Sequence, residues 1–428
     1  MLRTGAFKSI LLIIVAVMLC TSCARLRPRV PFGPTVSELQ YTSIESTREM
    51  QRKFTYVGSG YTQTSLRPRE ELAAEPIYFS KRPLYAEIEL GDSDDTRYTL
   101  VADESKGTRS GYDTLYIDAN NNEDLTDDAK LAGKVLADGN QVEFPVVEVA
   151  VEYGGREYPY HLVPGIYSYG ETSVRWSTAG YCEGELRFGD KTYKVALFDD
   201  TCNGAFNDPY ESPRNYPRQG AVYARGDTIV IDIDGDGTFE KDYNDTPEMY
   251  HIGKYISFDD ICYELEIAAN GRTVTVRETD APCGYITSGQ DGYSAELLGD
   301  DGALKLNGAG RRTKVPAGEY RLVACSLEKK DDKDARWRII GRGQWRQPVI
   351  NVKPDEQTAL EFGPPLAADL TTSKRGDSFS FGLEIKGRGG EMYTAGDIER
   401  NGNRLQPPRL VIRDERDTII ARGAFQYG

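Results

Sequence analysis

The chain has 428 residues, and its 67 Asp and Glu outnumber its 52 Lys and Arg, which gives a formal net charge of −15. An acidic balance of this size argues against nucleic acid as a partner, because the phosphates would be repelled. Hydrophobic residues at 39%, with 27 tyrosines among them, are enough to build cores. At about 150 residues per domain, the length predicts two to three domains.

The N-terminus has the pattern of an export signal. Arg3 and Lys8 precede an apolar run over residues 10–19, which is short for a membrane-spanning helix. The small pair Thr21 and Ser22 before Cys23 resembles the lipobox of bacterial type II signal peptides, although Cys20 stands where that motif usually has Leu. The resemblance implies a signal peptide over residues 1–22, a lipid on Cys23 and a place in the cell envelope, with the outer membrane favoured. An ordinary secretory signal or an uncleaved anchor is the alternative.

Residues 23–55 are predicted to be the lipid anchor and an extended tether. The sequence ARLRPRVPFGPT over residues 24–35 is rich in Pro and Arg and has little to bury. Arg25, Arg27 and Arg29 would either rest on anionic headgroups, which attract basic segments near a membrane, or stay in a solvated linker.

Strand patterns follow from about residue 80. Leu84, Ala86 and Ile88 alternate with polar neighbours, and similar alternation recurs at residues 193–197, 263–267 and 379–385. Asn270-Gly271 and Gly154-Gly155 lie between such segments and predict hairpins. The sequence therefore predicts an all-β, multidomain fold of antiparallel sandwich or meander units joined by short linkers, with residues 56–283 as the first β region.

A break near Pro282 begins a predicted C-terminal β-sandwich region over residues 284–428. Within it, VPAGEYRL at residues 315–322 resembles the turn and strand of prealbumin-like or carboxypeptidase-regulatory-like sandwiches. Gly363-Pro364-Pro365 predicts a second boundary near residues 363–366. The cysteines beyond Cys23 are odd in number, so at most two disulfides can form, and buried free thiols are the alternative. They are Cys182, Cys202, Cys262, Cys283 and Cys325.

Three acidic loops repeat one theme of an apolar strand that ends in an acid. DTLYID at residues 113–118 leads into the first loop, KVALFD at 194–199 into the second, and DTIVID at 227–232 into the third. Oxygen-bearing side chains follow at alternate positions. The equal spacing of DTLYID and DTIVID predicts an internal repeat.

Alternate oxygen side chains in a tight loop are ligands for a hard cation, and Ca²⁺ takes six to eight oxygens. DIDGDGTFE at residues 232–240 resembles the short DxDxDGxx(D/E) calcium loops of extracellular proteins. It departs from the EF-hand, because position twelve is Tyr243 rather than Glu. The candidate calcium ligands are Asp232, Asp234, Asp236 and Glu240 in the third loop, Asp118, Asn120, Asn122 and Asp127 in the first, and Asp199, Asn203 and Asp208 in the second. The alternative is that these residues only make turns, for which Asp, Asn and Gly are favoured.

Catalytic motifs are scarce. The sequence has two histidines, His161 and His251, in apolar and aromatic contexts, and no G-x-S-x-G, H-E-x-x-H or phosphate-loop motif. The chain resembles uncharacterised secreted bacterial lipoproteins with repeated Asp/Asn-rich loops, a resemblance that implies no activity. The sequence favours a non-catalytic envelope lipoprotein that binds a ligand or partner, such as a glycan, and is stabilised by Ca²⁺. The alternative is a carboxylate-dependent carbohydrate hydrolase, with Trp176, Trp337 and Trp345 as sugar platforms.

Overall fold

The computed structural model describes residues 31–46, 54, 58–92, 96–107, 111–214, 217–239, 248–258, 260–308 and 312–426. The predicted signal segment 1–22, the predicted lipid site Cys23 and the predicted ligand Glu240 lie outside these ranges. Within them, no helix has the length and apolar character that a membrane crossing needs. The chain divides into two units at Gly33 and Pro34, and the second unit holds every strand described below.

The strands of the described residues are short to medium in length and follow one another along the whole chain. The first group is β1 (Thr35–Glu38), β2 (Gln40–Ser43), β3 (Ser59–Gln63), β4 (Leu84–Glu89), β5 (Arg97–Asp103), β6 (Thr114–Ile117), β7 (Leu131–Ala132), β8 (Lys134–Val135), β9 (Gln141–Glu143), β10 (Val147–Tyr153), β11 (Arg156–Tyr169) and β12 (Glu171–Thr178). The second is β13 (Gly180–Phe188), β14 (Lys191–Phe198), β15 (Thr228–Ile231), β16 (Met249–His251), β17 (Tyr255–Phe258), β18 (Ile261–Ile267), β19 (Thr273–Glu278), β20 (Cys283–Thr287), β21 (Tyr293–Gly299), β22 (Gly302–Gly308) and β23 (Thr313–Pro316).

The third group is β24 (Gly318–Lys330), β25 (Arg336–Arg342), β26 (Ile350–Val352), β27 (Gln357–Ala359), β28 (Ala367–Arg375), β29 (Ser378–Lys386), β30 (Met392–Tyr393), β31 (Ile398–Arg400), β32 (Asn403–Arg404), β33 (Arg409–Arg413) and β34 (Ile419–Ala424). The one helical element among the described residues is a short 3₁₀ turn, Ala395–Asp397. The predicted all-β fold class is confirmed.

The strands form several separate sheets, and nearly all of the pairings are antiparallel. In spatial order the sheets are β4-β5-β6-β7; β16-β15-β14-β13-β2; β1-β19-β18-β17; β3-β12-β11-β9-β8 with β10 on β11; β23-β20-β27; β22-β21-β24-β25-β30-β29-β28 with β26, β31 and β32 attached; and β33-β34. Strands β20 and β27 pair in parallel. Both predicted hairpins are present, at Gly154-Gly155 between β10 and β11 and around Asn270-Gly271 between β18 and β19.

Two main apolar cores hold these sheets together. The larger one includes residues from Leu39 to Val276, and Leu100, Leu197 and Val274 are all fully buried within it. The second runs from Ile286 to Phe362 and includes Leu297 and Leu306. Burying a large aliphatic side chain contributes about 1.5–3 kcal/mol, so each core is a major source of stability. The proposed division into domains near residue 284 stays a prediction.

The structure differs from the extended tether expected up to residue 55. Residues 35–38 form β1, which pairs with β19, and residues 40–43 form β2, which pairs with β13. Leu39 and Ile44 between and after these strands are 4% and 3% exposed. This segment has too few apolar residues for its sequence to predict a strand. Both strands nevertheless pair with strands from distant parts of the chain, and the apolar side chains pack into cores formed there.

Candidate functional site

The first and third acidic loops occupy equivalent places in two similar sets of four consecutive strands, which we call repeat A (β4–β7, residues 84–132) and repeat B (β13–β16, residues 180–251). Repeat A is a sheet of its own, whereas β2 adds a fifth strand beside β13 in the sheet of repeat B. Their strands run in the same order, and their registers match. One row of paired residues crosses repeat A at Leu84, Ala102, Leu115 and Leu131, and the corresponding row crosses repeat B at Cys182, Leu197, Ile229 and Tyr250. The first acid of each loop, Asp118 or Asp232, lies three residues after its row. The two sets of strands therefore share one strand order and one register, and the internal repeat stays a prediction.

Equivalent backbone hydrogen bonds are also present at the start of the first and third loops. The amide of Asp118 donates to the carbonyl of Thr99 at 2.9 Å, and the amide of Asp232 donates to that of Lys194 at 3.0 Å. At the other end of the strand, the carbonyl of Asp113 accepts from the amide of Gly133, directly after β7, and that of Asp227 from the amide of Ile252, directly after β16, both at 2.8 Å. Each loop thus begins at the same point of the same ladder, which fixes where its first carboxylate lies.

All three acidic loops share one backbone conformation. The residues at positions four and six have positive φ: Asn121 and Glu123 in the first loop, Cys202 and Gly204 in the second, and Gly235 and Gly237 in the third. The carboxylate at position one closes each loop by accepting from backbone amides three to five residues ahead. In the third loop Asp232 accepts from Gly235 at 2.7 Å and from Gly237 at 3.0 Å. Short Asp and Asn side chains favour such turns because they can bond to nearby amides.

The third loop brings three of its four predicted ligands together. Oxygens of Asp232, Asp234 and Asp236 lie within 4.8 Å of one another. Asp232 is buried at 6% exposure, whereas the other two are exposed. The amide and hydroxyl of Thr238 both donate to Asp236 at 2.7 Å, which lowers the pKa of Asp236. Three ionised carboxylates at this separation repel one another, so the geometry suits a cation between them.

The first loop also brings its predicted ligands together. Asp127 accepts from the side-chain amides of Asn122 at 2.9 Å and Asn120 at 3.5 Å, and the amide of Asn122 donates to Asp118 at 3.0 Å. Sequence reasoning missed a further acid, Asp128. One of its oxygens accepts from Ala119 at 3.2 Å, and the other is buried without a partner among the described residues.

The environment of Asp128 favours its protonated form. Burial raises the pKa of this carboxyl to about 6, and the neighbouring carboxylates of Asp118, Asp127 and Asp124 act in the same direction. The consecutive pair Asp127-Asp128 was the only signal in the sequence that could have indicated this residue. The first loop therefore contains one more carboxyl group than its predicted set of ligands includes.

The second loop follows β14 rather than β15, so it is not the equivalent of the other two. Asp199 is fully buried and accepts from Cys202 at 2.5 Å, Gly204 at 2.8 Å and the hydroxyl of Tyr160 at 2.8 Å. Burial raises the pKa of Asp199 to about 7. Asp208 accepts from Thr201 and Asn203, both at 2.7 Å. The predicted ligands Asp199, Asn203 and Asp208 do lie together, but protein donors occupy their oxygens.

Asp227 holds the second loop in place and was not singled out from the sequence. Its carboxylate is fully buried and accepts from the amides of Asp200 at 3.0 Å and Asp208 at 2.9 Å. Burial, together with the nearby Asp199 and Asp208, raises the pKa of Asp227. The equivalent residue of repeat A, Asp113, accepts from the amide and hydroxyl of Ser105, each at 2.6 Å. The first acid of each DTxxID segment is thus a structural clamp.

A cleft of about 570 Å³ lies beside the third loop, between repeat B and strands β17, β22 and β23. Ile233 of the loop forms part of its wall. The other lining residues include Lys191, Tyr193, Tyr250, Phe258, Lys305 and Asn307, and the described lining contains one acid, Asp260. Clefts of 300–1,000 Å³ are typical of small-molecule sites. The ammonium of Lys305 donates to the carbonyl of Met249 at 3.0 Å and lies 5.7 Å from the centre of the Tyr250 ring.

Both histidines have carboxylate and aromatic neighbours. The Nε2 of His161 lies 3.2 Å from Glu148, and burial lowers the pKa of this ring. His251 contacts the carboxylate of Glu296 and stacks on Tyr210 with ring centroids 4.0 Å apart.

Trp176, proposed as a sugar platform, is 8% exposed and donates from Nε1 to the carbonyl of Cys202 at 2.8 Å. Trp345 lies under the guanidinium groups of Arg218 and Arg321.

Comparison with known proteins gives no match: no family model, no curated protein and no solved structure is significantly similar to this chain.

The shared loop conformation makes a prediction about Gly237. A Cβ at this position would meet no atom within 4 Å, but φ is +84°, which disfavours any L side chain. Gly237→Ala should therefore lower the free energy of unfolding in EDTA by roughly 1–2 kcal/mol, as measured by urea denaturation. Gly423→Ala is the matched control, because its Cβ also meets nothing and its φ is not positive. Equal effects of the two substitutions would contradict the loop geometry.

Proposed function

We propose that the protein is a non-catalytic lipoprotein of the cell envelope, with a ligand-binding cleft and with structural Ca²⁺ in its third and first acidic loops. The observation that carries the proposal is the repeated loop geometry, in which Asp232, Asp234 and Asp236 converge. Four acids within nine residues would repel one another strongly without a cation between them. The second loop is left out of the proposal, because Asp199 is fully buried and its carboxylate accepts the hydroxyl of Tyr160 in addition to two loop amides.

Calcium fits these loops better than magnesium does. Ca²⁺ accepts six to eight oxygens in irregular geometry, whereas Mg²⁺ requires a tight octahedron and keeps its waters. The third loop offers three carboxylates, and backbone carbonyls and water would complete the shell. Extracellular modules usually bind Ca²⁺ at about 10⁻⁴–10⁻³ M, so such sites fill where calcium is plentiful.

Calcium should raise the melting temperature. Binding to the native state alone adds roughly 2.7 kcal/mol of stability when the free ion is at a hundredfold excess over Kd. The double variant Asp234→Asn, Asp236→Asn should lose most of the rise. Asparagine keeps an oxygen that accepts the bonds from Asp236 and Thr238 in the turn, so the variant removes charge and preserves the loop. The measurement is thermal unfolding in CaCl₂ and in EDTA.

Asp377→Asn provides the matched control for that experiment. Asp377 lies in the exposed turn between β28 and β29, far from the acidic loops in sequence, and this variant should keep the full calcium-dependent rise. Asp127→Asn should remove the part of the rise that comes from the first loop. Identical wild-type melting curves in calcium and in EDTA, with no bound ion by elemental analysis, would show that these loops form turns and do not bind calcium.

The cleft supports the ligand-binding part of the proposal, and an acidic saccharide is the ligand that fits it best. Tyr193 and Phe258 offer aromatic surface for a sugar ring, and Asn307, whose side-chain amide donates to the hydroxyl of Tyr250 at 3.4 Å, adds a polar group. Lys191 and Lys305 are the cations of the described lining, and each would pair with the carboxylate of an acidic sugar. Ile233 links the wall of the cleft to the third loop, so calcium would also order part of this site.

Acidic saccharides should bind more tightly than their neutral counterparts. The probe is a uronic-acid oligosaccharide, compared by calorimetry with the neutral oligosaccharide of the same length. Lys191→Gln should weaken binding about tenfold, since a hydrogen bond to a charged group contributes about 1.5–3 kcal/mol. Lys374→Gln, which removes an exposed lysine in the β28–β29 hairpin, should leave affinity unchanged. Binding of neither sugar, or binding that is insensitive to Lys191→Gln, would exclude this ligand class.

The proposed location in the cell envelope is inferred from the N-terminal sequence, with its basic residues, apolar run and small residues before Cys23. The mature protein should begin at Cys23, carry lipid there and partition into detergent. Cys23→Ala should release the protein in soluble form, and Cys20→Ala is the control that should not. Mass spectrometry of the mature N-terminus measures this directly. An unmodified N-terminus at any residue after 23 would be the contrary result.

A further inference from the structure

Two of the five buried cysteines lie against each other. Cys262 in β18 is 1% exposed, and Cys283 at the start of β20 is 9% exposed. Strand pairing brings the two residues together: Ser257 of β17 pairs with Cys262 and donates its hydroxyl to the carbonyl of Lys314 in β23, and β23 pairs with β20 from Cys283 onward. The two thiols interact with each other. The remaining three cysteines have other neighbours: Cys182 contacts the carbonyl of Asn270 at 3.8 Å, Cys202 the carbonyl of Asp199 at 3.8 Å, and Cys325 the hydroxyl of Tyr393 at 3.9 Å.

The path of the chain explains why these two thiols meet. Strand β19 ends at Glu278, and the next amide, of Thr279, donates to the carbonyl of Cys262 at 3.0 Å. The chain then turns and enters β20 at Cys283, whose sulfur lies 3.2 Å from the carbonyl of Ala281. Strand β18 belongs to one sheet and β20 to another, so the contact joins two sheets.

The surroundings make the two sulfurs chemically unequal. The hydrogen bond from the thiol of Cys262 lowers the pKa of Cys283 to about 7, and the ammonium of Lys314 acts in the same direction. The same hydrogen bond, together with burial, raises the pKa of Cys262. The thiolate is the nucleophile in disulfide exchange, so Cys283 is the sulfur that reacts first.

We propose that Cys262 and Cys283 form a disulfide that joins strand β18 to strand β20. The thiolate of Cys283 attacks one sulfur of a donor disulfide, either an oxidised small thiol or a thiol oxidase, and the other donor sulfur leaves as a thiolate. Cys262 then loses its proton and attacks the sulfur of Cys283, which releases the second donor sulfur. Two protein thiols are oxidised to one disulfide, and the donor disulfide is reduced to two thiols. Cys283 is the more exposed of the two residues, so the donor disulfide reaches its sulfur before that of Cys262.

The test is peptide mapping of the full chain after it has been unfolded and refolded with oxidised and reduced glutathione. Free thiols are blocked with N-ethylmaleimide under denaturing conditions before digestion. The expected result is one cross-linked peptide pair, containing Cys262 and Cys283, with Cys182, Cys202 and Cys325 alkylated. The cross-link needs only a disulfide donor, so this test does not depend on the proposed envelope address. Alkylation of both cysteines, or a cross-link between any other pair, would overturn the proposal.

Two variants and the melting temperature under reducing conditions test the same disulfide. Cys283→Ala should abolish the cross-link and leave Cys262 alkylated, whereas Cys182→Ala should leave the cross-link in place. A disulfide that closes a loop of about 20 residues restricts the unfolded chain, so reduction should lower the melting temperature by about 3 °C or more. The same reductant should not change the melting temperature of Cys283→Ala. If that variant fails to fold, the cross-linked peptide of the wild-type chain still decides the question.

Discussion

The structure of the acidic region depends on one interaction, in which a carboxylate at the end of a buried strand accepts backbone amides from the loop that follows. Asp232 does this for Gly235 and Gly237, and Asp118 does it for Asn122 and Glu123. Hydrogen bonds from amides to a charged acceptor are among the stronger ones in proteins. The carboxylate therefore stabilises the curvature of the loop, and in the third loop this curvature brings the next two acids toward the same point. Turn formation and the proposed cation binding would use the same residues.

This double use explains why the sequence alone could not separate calcium loops from turns. Asp199 and Asp232 each accept two loop amides, yet Asp199 is fully buried and also accepts the hydroxyl of Tyr160. The difference lies in what packs over the loop, which is tertiary information. Strand alternation, the hairpin glycines and the spacing of the acids could be predicted, because each depends on neighbours along the chain.

The features that escaped prediction depend on distant pairings. Strand β1 exists because residues near Val276 offer it a sheet edge, some 240 residues away in sequence. Asp227 can bond to the second loop only because the chain returns to that loop after residue 208. The burial of one Asp128 oxygen depends on how the first loop packs. The matched registers of repeats A and B were also invisible, because the similarity of DTLYID and DTIVID covers one strand of four.

The two repeats show how a loop can change its charge while its conformation stays the same. Position six is Gly237 in repeat B and Glu123 in repeat A, and both have positive φ. Positions three and five are aspartates in repeat B but Asn120 and Asn122 in repeat A, where Asp127 and Asp128 supply acid from further along the chain. Since ligand charge and site rigidity tune calcium affinity, equal backbones with different acids would give sites of different strength. The backbone ladder fixes the position of each loop, and the side chains would set how strongly the proposed sites bind.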